Sequence, residues 1–336
     1  MIRRFATTLV FLAGLALGGV LVVHAGLKPT ASALAAVGWG GLAEICLLQA
    51  VSVVLCALAW WRVTERVPVL ACLISRWIRD GLSNLVGFIP AVGEGISARA
   101  LAVFGGGGAG AAAATTIVDV AIEALSQAIY TLAAFVLLFP HLGVAEEPRW
   151  TLIVAASIVP VALMFAISRH PASLRLAQRI GAKVGKLFGV EGGSGFSLAD
   201  AVHAVYRRPG RVAAALGLHL LGWTTGAAQL WLATRAMGVP ISPGDALALH
   251  GLVWAARSAF FLVPWAAGVQ EGGFLLVGAV LHLSPATAIA LSLVLRGRDV
   301  LLGAPAILFW GVAEMRRRLA GRQAVPPRGA AKAGFH

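Results

Sequence analysis

Two stretches of the sequence decide the fold, "NLVGFIPAVGEG" at residues 84–95 and "SAFFLVPWAAGVQEGG" at residues 258–273. Each has an apolar approach, a proline, a turn of small residues, and then a glutamate among glycines. Pro90 and Pro264 cannot donate a helical hydrogen bond, so each ends or kinks a helix. The sequence therefore predicts a broken helix at each of the two stretches.

The rest of the chain is strongly apolar. Its 336 residues are 59% hydrophobic and 12% charged, whereas a soluble domain has about 25% charged residues. Six segments have about the 20 apolar residues that a helix needs to cross a bilayer. They lie near 5–25, 34–60, 111–139, 150–167, 212–236 and 285–313, and the interrupted stretches cover about 81–106 and 244–283. We predict an all-α polytopic membrane protein with about six transmembrane helices plus two re-entrant or short-helix hairpins.

The basic residues indicate an orientation. The formal net charge is +13, and most bases lie beside the apolar runs. One side receives Arg3, Arg4, Arg62, Arg66, Arg76, Arg79, the bases of 169–211 and those of 316–332, and the other receives Lys28, Arg149 and Arg235. The positive-inside rule then places both termini in the cytoplasm. Nucleic acid is not the expected partner, because no basic stretch has interleaved aromatic residues or a known binding module.

With this orientation the two hairpins enter the membrane from opposite faces. Their spacing also corresponds, since Glu94 precedes Asp119 by 25 positions and Glu271 precedes Arg296 by 25. Broken segments at matching places in two halves of opposite topology indicate an inverted repeat around a midplane site. The alternative is a chance similarity of two stretches rich in glycine and proline. The predicted halves are about 62–139 and 240–313.

We expect one transmembrane domain over residues 1–322. Its first apolar run has about 19 residues, longer than the hydrophobic part of a signal peptide, so we expect a retained helix. Residues 168–211 form the predicted cytoplasmic segment, with bases opposite an apolar helical face, as in helices that lie on anionic headgroups. Residues 323–336 are expected to be a disordered tail.

Ionisable residues at membrane depth are the first candidates for function, because each costs about 2.5–3.5 kcal/mol to insert. Asp119, Glu123 and Gln127 follow at intervals of four, so they share one helical stripe. Three readings of the stripe stay open: structural pairing with Arg257, Arg296 or Arg298, handling of substrate or protons, and accidental exposure to lipid. Asp299 is a candidate by the same criterion.

Glu94 and Glu271 lie in the predicted turns between glycines. A carboxylate at such a break either caps the free N–H groups of the next helix or contacts a polar headgroup, and both readings stay open. No residues have the spacing of a catalytic motif or a metal site, so we expect no catalytic residue, metal or cofactor. His219 and His250 are expected to be buried, hydrogen-bonded residues.

The motifs "GEGISARAL", "IVD" with a later glutamine, "GVQEGG" and "LVLRGRDVLLGAP" resemble the lysylphosphatidylglycerol synthase transmembrane-domain family, in particular its branch associated with hopanoid biosynthesis. The resemblance covers roughly 40–315. The residues that match its motifs are Pro90, Gly93, Glu94, Arg99, Asp119, Gln127, Arg257, Pro264, Gly268, Gln270, Glu271, Gly272, Arg296, Arg298 and Asp299. The turn at Trp265 to Ala267 departs from the Pro-Gly start that we expect there.

The resemblance implies a multi-pass protein of the bacterial inner membrane that moves hopanoids or related envelope lipids. In the larger synthases a separate soluble domain transfers the aminoacyl group, and we expect that activity not to carry over to these 336 residues. The alternative is a membrane-embedded enzyme or assembly factor in hopanoid modification. The expected partners are membrane lipids, either hopanoid or anionic phospholipid, and enzymes of hopanoid biosynthesis.

Overall fold

A computed structural model describes residue 12 and residues 16–64, 67–85, 92–142, 198–260 and 263–323. These residues form helices joined by short turns and contain no strand. The α-helices are α1 (Ala16–Ala25), α2 (Leu27–Val63), α3 (Val69–Leu85), α4 (Val92–Gly105), α5 (Ala109–Leu138), α6 (Leu198–Tyr206), α7 (Pro209–Ala236), α8 (Pro243–Ala259), α9 (Val269–Val280) and α10 (Pro285–Gln323). Short 3₁₀ turns occupy Phe139–Leu142 and Pro264–Ala266. The predicted all-α class is confirmed.

Two described segments are long and apolar enough to cross a bilayer, Leu27–Val63 and Ala109–His141. The first is broken at Gly38, whose φ of 60° lies in the region that glycine tolerates best. The spanning segment predicted at 150–167 lies outside the described residues. The total of about six transmembrane helices, the inverted repeat and the cytoplasmic termini therefore stay predictions.

Both interrupted stretches contain short helices. In the first, α3 and α4 pack against each other on either side of the break. Gly93 permits this approach, because a Cβ there would lie 2.2 Å from Ser83 Oγ. In the second, α8 and α9 pack together and are separated by the 3₁₀ turn at Pro264. Pro90 lies outside the described residues.

Apolar clusters hold the helices on two sides of a polar interior. One cluster joins α8, α9 and α10 through residues such as Leu249, Phe274 and Leu291. Another joins α2, α4 and α5 through Trp60, Leu101 and Ile122. Burial of a large apolar side chain contributes about 1.5–3 kcal/mol, so these clusters can fix charged residues between them.

Two predicted regions have no described counterpart. Most of the predicted basic amphipathic segment, and the tail from residue 324 onwards, lie outside the described residues. The division into a domain of 1–322, repeat-like halves and a tail stays a prediction.

Candidate functional site

The polar face of α3 begins the candidate site. Arg76, Arg79, Asp80 and Ser83 recur every three or four residues, so they point to one side of the helix. Arg76 and Arg79 are only 6% and 7% exposed. The two arginines are therefore buried helical residues, and the side of the membrane on which they lie stays a prediction.

Carboxylates from neighbouring helices meet the two arginines. Arg76 donates to both oxygens of Glu123, at 2.6 and 3.1 Å, and its Nε lies 2.9 Å from Asp80 Oδ1. Arg79 donates to Glu123 at 2.7 Å and to Asp119 at 3.1 Å. Glu94 lies farther away, 3.7 Å from Arg79 Nε. Of the three readings left open for this stripe, the contacts show structural pairing of Asp119 and Glu123, but with Arg76 and Arg79 of α3 and not with Arg257, Arg296 or Arg298.

A buried histidine extends this cluster. His219 of α7 is 1% exposed, and its Nε2 lies 3.0 Å from Asp119 Oδ1. Its Nδ1 has no hydrogen-bond partner among the described residues. One ring nitrogen of His219 is therefore fixed by a carboxylate, and the Cys56 thiol lies within 4.8 Å of the imidazole.

These side chains surround a cavity of about 200 Å³. Helices α2, α3, α4, α5, α7, α8 and α10 all contribute to its wall. Its charged lining residues are Arg76, Arg79, Asp80, Glu94, Glu123 and Arg298, and His219, His250, Trp223 and Trp254 also line it. The site is thus a polar chamber inside a bundle of largely apolar helices.

Aromatic residues form one wall of the chamber. The rings of His250 and Trp254 stack with centroids 4.3 Å apart, and Trp223 donates from Nε1 to Ser126 Oγ at 2.9 Å. Gly226 leaves room for this arrangement, because a Cβ there would lie 2.1 Å from His250 Nε2. His250 is buried as expected, but its Nδ1 has no hydrogen-bond partner among the described residues.

Glu271 belongs to a different cluster, at the turn before α9. Its Oε2 accepts from the N–H of Gly268 at 2.9 Å, and its Oε1 accepts from Ser292 at 2.8 Å. Arg296 donates to both oxygens, at 3.0 and 3.1 Å. These are the contacts of a capping residue in a buried ion pair, and Glu271 does not line the chamber described above.

The remaining predicted cations are also paired. Arg257 donates to Gln270 and, at 3.3 Å, to Asn84 Oδ1. Gln270 in turn donates to Ser292 Oγ at 2.8 Å. Arg298 donates to Asp299 at 2.6 Å and to Gln229. Hydrogen bonds through Ser292 therefore join Arg257, Gln270, Glu271 and Arg296. The Arg298–Asp299 pair lies next to this chain, with Asp299 Oδ2 4.0 Å from Arg257.

Two other predicted residues connect helices away from the chamber. Gln127 donates to Ser258 Oγ at 2.6 Å and thereby joins α5 to α8. Arg99 donates to Glu314 at 2.7 Å and joins α4 to the end of α10, beyond its apolar part. Partial burial favours the neutral form of Glu314, but hydrogen bonds from Arg99 and Arg318 lower its pKa below the ordinary value.

The predicted breaks have distinct backbone roles. Pro264 begins the 3₁₀ turn, and Gly268 precedes α9 with a φ of 77°. Gly272 has open space around the position of a Cβ. Trp265 and Ala266 have φ values of 59° and 47°. The backbone is therefore in the left-handed region at the turn where we expected Pro-Gly, although neither residue is a glycine.

One further group has the distances of a metal site. Cys56, Glu123 and His219 present ligand atoms that all lie within 4.8 Å of one another. Both oxygens of Glu123, however, already accept hydrogen bonds from guanidinium groups. We therefore treat the group as part of the ion-pair network.

The chamber contains Glu94, Glu123 and Arg298 of the predicted site residues, whereas sequence reasoning missed Arg76, Arg79 and Asp80. The missed signal was the helical spacing of "SRWIRDGLS" at 75–83, which has one polar face. His219 was noticed but assigned no site.

The fold and the site define a class: an all-helical protein with charged groups enclosed among apolar helices. The family described as Lysylphosphatidylglycerol synthase TM region matches residues 11–306. Because the match covers most of the chain, the protein belongs to this family, which is a membrane family with a role in lipid handling. No curated protein and no solved structure matches the chain. The hopanoid branch stays a prediction.

Proposed function

We propose that the protein is a translocase of the bacterial inner membrane that moves hopanoids or related envelope lipids between leaflets. The observation that carries the proposal is the chamber of about 200 Å³, lined by six charged side chains, in a chain of a lipid-handling membrane family. The headgroup would occupy the chamber, and the hydrocarbon part would stay in the bilayer.

The physical obstacle to lipid movement supports this use of the chamber. A polar group without partners in hydrocarbon costs several kcal/mol, roughly 2–7 on common scales. Irregular backbone is tolerated at membrane depth only inside protein or beside a polar cavity. The α3/α4 pair meets α5, α7 and α8 around such a cavity, so a headgroup could exchange water for protein partners there.

Reconstitution tests the proposal. The protein is placed in liposomes with a labelled hopanoid, and the label in the outer leaflet is destroyed chemically over time. We expect faster loss of protected label than in empty liposomes. Glu123→Gln should slow transfer by at least about tenfold, because it removes the negative charge that both buried arginines share. Asp245→Asn is the matched control, since Asp245 lies at the start of α8, pairs with His141 and does not line the chamber. Equal rates with and without protein would contradict the proposal.

The Asp119–His219 pair favours one second candidate, a membrane-embedded enzyme of hopanoid modification. His219 lines the chamber, is held by a carboxylate at one ring nitrogen, and has no hydrogen-bond partner at the other among the described residues, which is the arrangement of a general base. Mass spectrometry of the lipid after incubation separates the two candidates. An unchanged mass with transfer supports a translocase, whereas a covalently altered lipid supports the enzyme.

A further inference from the structure

We propose that the chamber is selective for a neutral, polyhydroxylated headgroup, such as a sugar or a short polyol, over a charged headgroup. This inference rests on the proposed function, since it assigns a headgroup class to the same chamber. Four features of the wall carry it: the balance of its charges, the pairing of each arginine, its open hydrogen-bonding atoms, and its volume.

The first feature is the balance of charges. Among the described residues, three arginines and three acids line the chamber, namely Arg76, Arg79, Arg298, Asp80, Glu94 and Glu123. A site for an anionic headgroup has an excess of cations facing the ligand, and a site for a cationic headgroup has an excess of acids. The wall of this chamber has neither.

The second feature is that each lining arginine already has a close carboxylate. Arg76 lies 2.6 Å from Glu123, Arg79 lies 2.7 Å from the same residue, and Arg298 lies 2.6 Å from Asp299. A phosphate would have to displace one of these carboxylates, and an ammonium would have to take one from its arginine. Either exchange leaves a buried charge without its partner, which is strongly unfavourable.

The third feature is the set of atoms that can still bond. Glu94 is the least committed acid, with a side chain 31% exposed and Arg79 at 3.7 Å. His219 Nδ1 is buried and has no hydrogen-bond partner in the part of the chain that the structure describes, and the Cys56 thiol lies within 4.8 Å of this imidazole. Ser83 and Asn84 add neutral polar groups to the same wall. A hydroxyl both donates and accepts, so a polyol can satisfy this mixed wall without bringing a charge into it.

The fourth feature is size. A volume of about 200 Å³ lies below the roughly 300–1,000 Å³ of sites for drug-sized ligands, so the chamber suits a small group. One sugar ring or a short polyol has this size. Two indoles, Trp223 and Trp254, give the wall the combination of aromatic and sparse polar groups that is typical of small-molecule sites.

A panel of three lipids tests the selectivity in the wild-type protein. Monoglucosyl diacylglycerol is neutral, phosphatidylglycerol is anionic, and lysyl-phosphatidylglycerol is cationic, and all three carry the same labelled acyl chains. Transfer is measured in liposomes, and binding is measured separately by native mass spectrometry. We expect the glucosyl lipid to exceed both charged lipids by at least about tenfold in each measurement, because it leaves the ion pairs intact.

The outcomes separate the two proposals. Equal or stronger binding of a charged lipid overturns the selectivity, and transfer of that lipid leaves the translocase standing. Selective binding of the glucosyl lipid without transfer of any lipid supports the headgroup class and overturns the translocase.

A variant tests the charge balance directly. Glu94→Gln leaves three arginines against two acids on the wall, so binding should shift toward phosphatidylglycerol by about tenfold relative to the glucosyl lipid. Glu44→Gln removes an exposed carboxylate of α2 and should not change the ratio. An unchanged ratio in Glu94→Gln would show that charge balance does not set the preference.

Discussion

At the scale of single residues, the turn before α9 shows how a charged side chain maintains an unfavourable backbone. Trp265 and Ala266 both have positive φ, which costs an L-residue about 1–2 kcal/mol. Arg296 donates to the carbonyl of Trp265 at 2.6 Å, and its guanidinium lies 4.2 Å from the centroid of the Trp265 ring. The buried arginine therefore stabilises the turn as well as pairing with Glu271.

This strain gives a prediction with an internal control. Ala266→Gly and Ala267→Gly each remove one buried methyl group and free the unfolded chain, but only Ala266 has a positive φ. Ala267→Gly should therefore be the more destabilising change, by about 1–2 kcal/mol. Thermal unfolding in detergent measures the difference. Equal losses would show that the turn is not strained at Ala266.

At the scale of elements, α3 and α10 cross at two glycines. A Cβ on Gly81 would lie 2.9 Å from the carbonyl oxygen of Gly303 and 3.1 Å from its Cα. Small residues let helix backbones approach closely, which is how membrane helices gain packing contacts. The contact also positions Trp77, which donates to the carbonyl of Leu302 at 2.9 Å.

Gly81→Ala should destabilise the protein by about 1–3 kcal/mol, because backbone atoms cannot move aside as a flexible side chain can. Gly217→Ala on α7 is the matched control, since no atom of the described residues lies within 4 Å of its Cβ position. That change should be neutral or stabilising by up to about 1 kcal/mol through helix propensity. Denaturant or thermal unfolding compares the two variants. Similar effects of both would contradict the close crossing.

The helix α3 also shows how far the sequence could predict the site. Hydropathy predicts the long helices and proline positions predict the breaks, because both features of the fold depend on local properties of the chain. The rule that counts arginines beside apolar runs placed Arg76 and Arg79 on the cytoplasmic side and did not use their helical spacing with Asp80. Which acids they meet depends on how α3, α4 and α5 pack, and no local pattern specifies that packing.

At the scale of the whole molecule, the described charges that pair around the chamber and the turn before α9 form an almost balanced set. The guanidiniums are Arg76, Arg79, Arg257, Arg296 and Arg298, and the carboxylates are Asp80, Glu94, Asp119, Glu123, Glu271 and Asp299. The five cations face six anions, and a proton on His219 would make the set neutral. The described interior of the protein thus keeps these charges close to mutual compensation.

If the interior charges compensate one another, neutralising a second residue of opposite charge should recover part of the stability that the first neutralisation removes. Arg79→Gln removes a partner of Glu123 and Asp119 and should cost about 3–5 kcal/mol, because buried carboxylates lose their cation. Adding Asp119→Asn should recover at least about 1 kcal/mol, although Asp119→Asn alone should destabilise. Unfolding of the single and double variants in detergent gives the coupling energy.

The Arg318–Glu314 pair is the control, since Arg318 is exposed and its coupling should be about 0–1 kcal/mol. Additive losses at Arg79 and Asp119 would mean that the interior charges do not compensate one another.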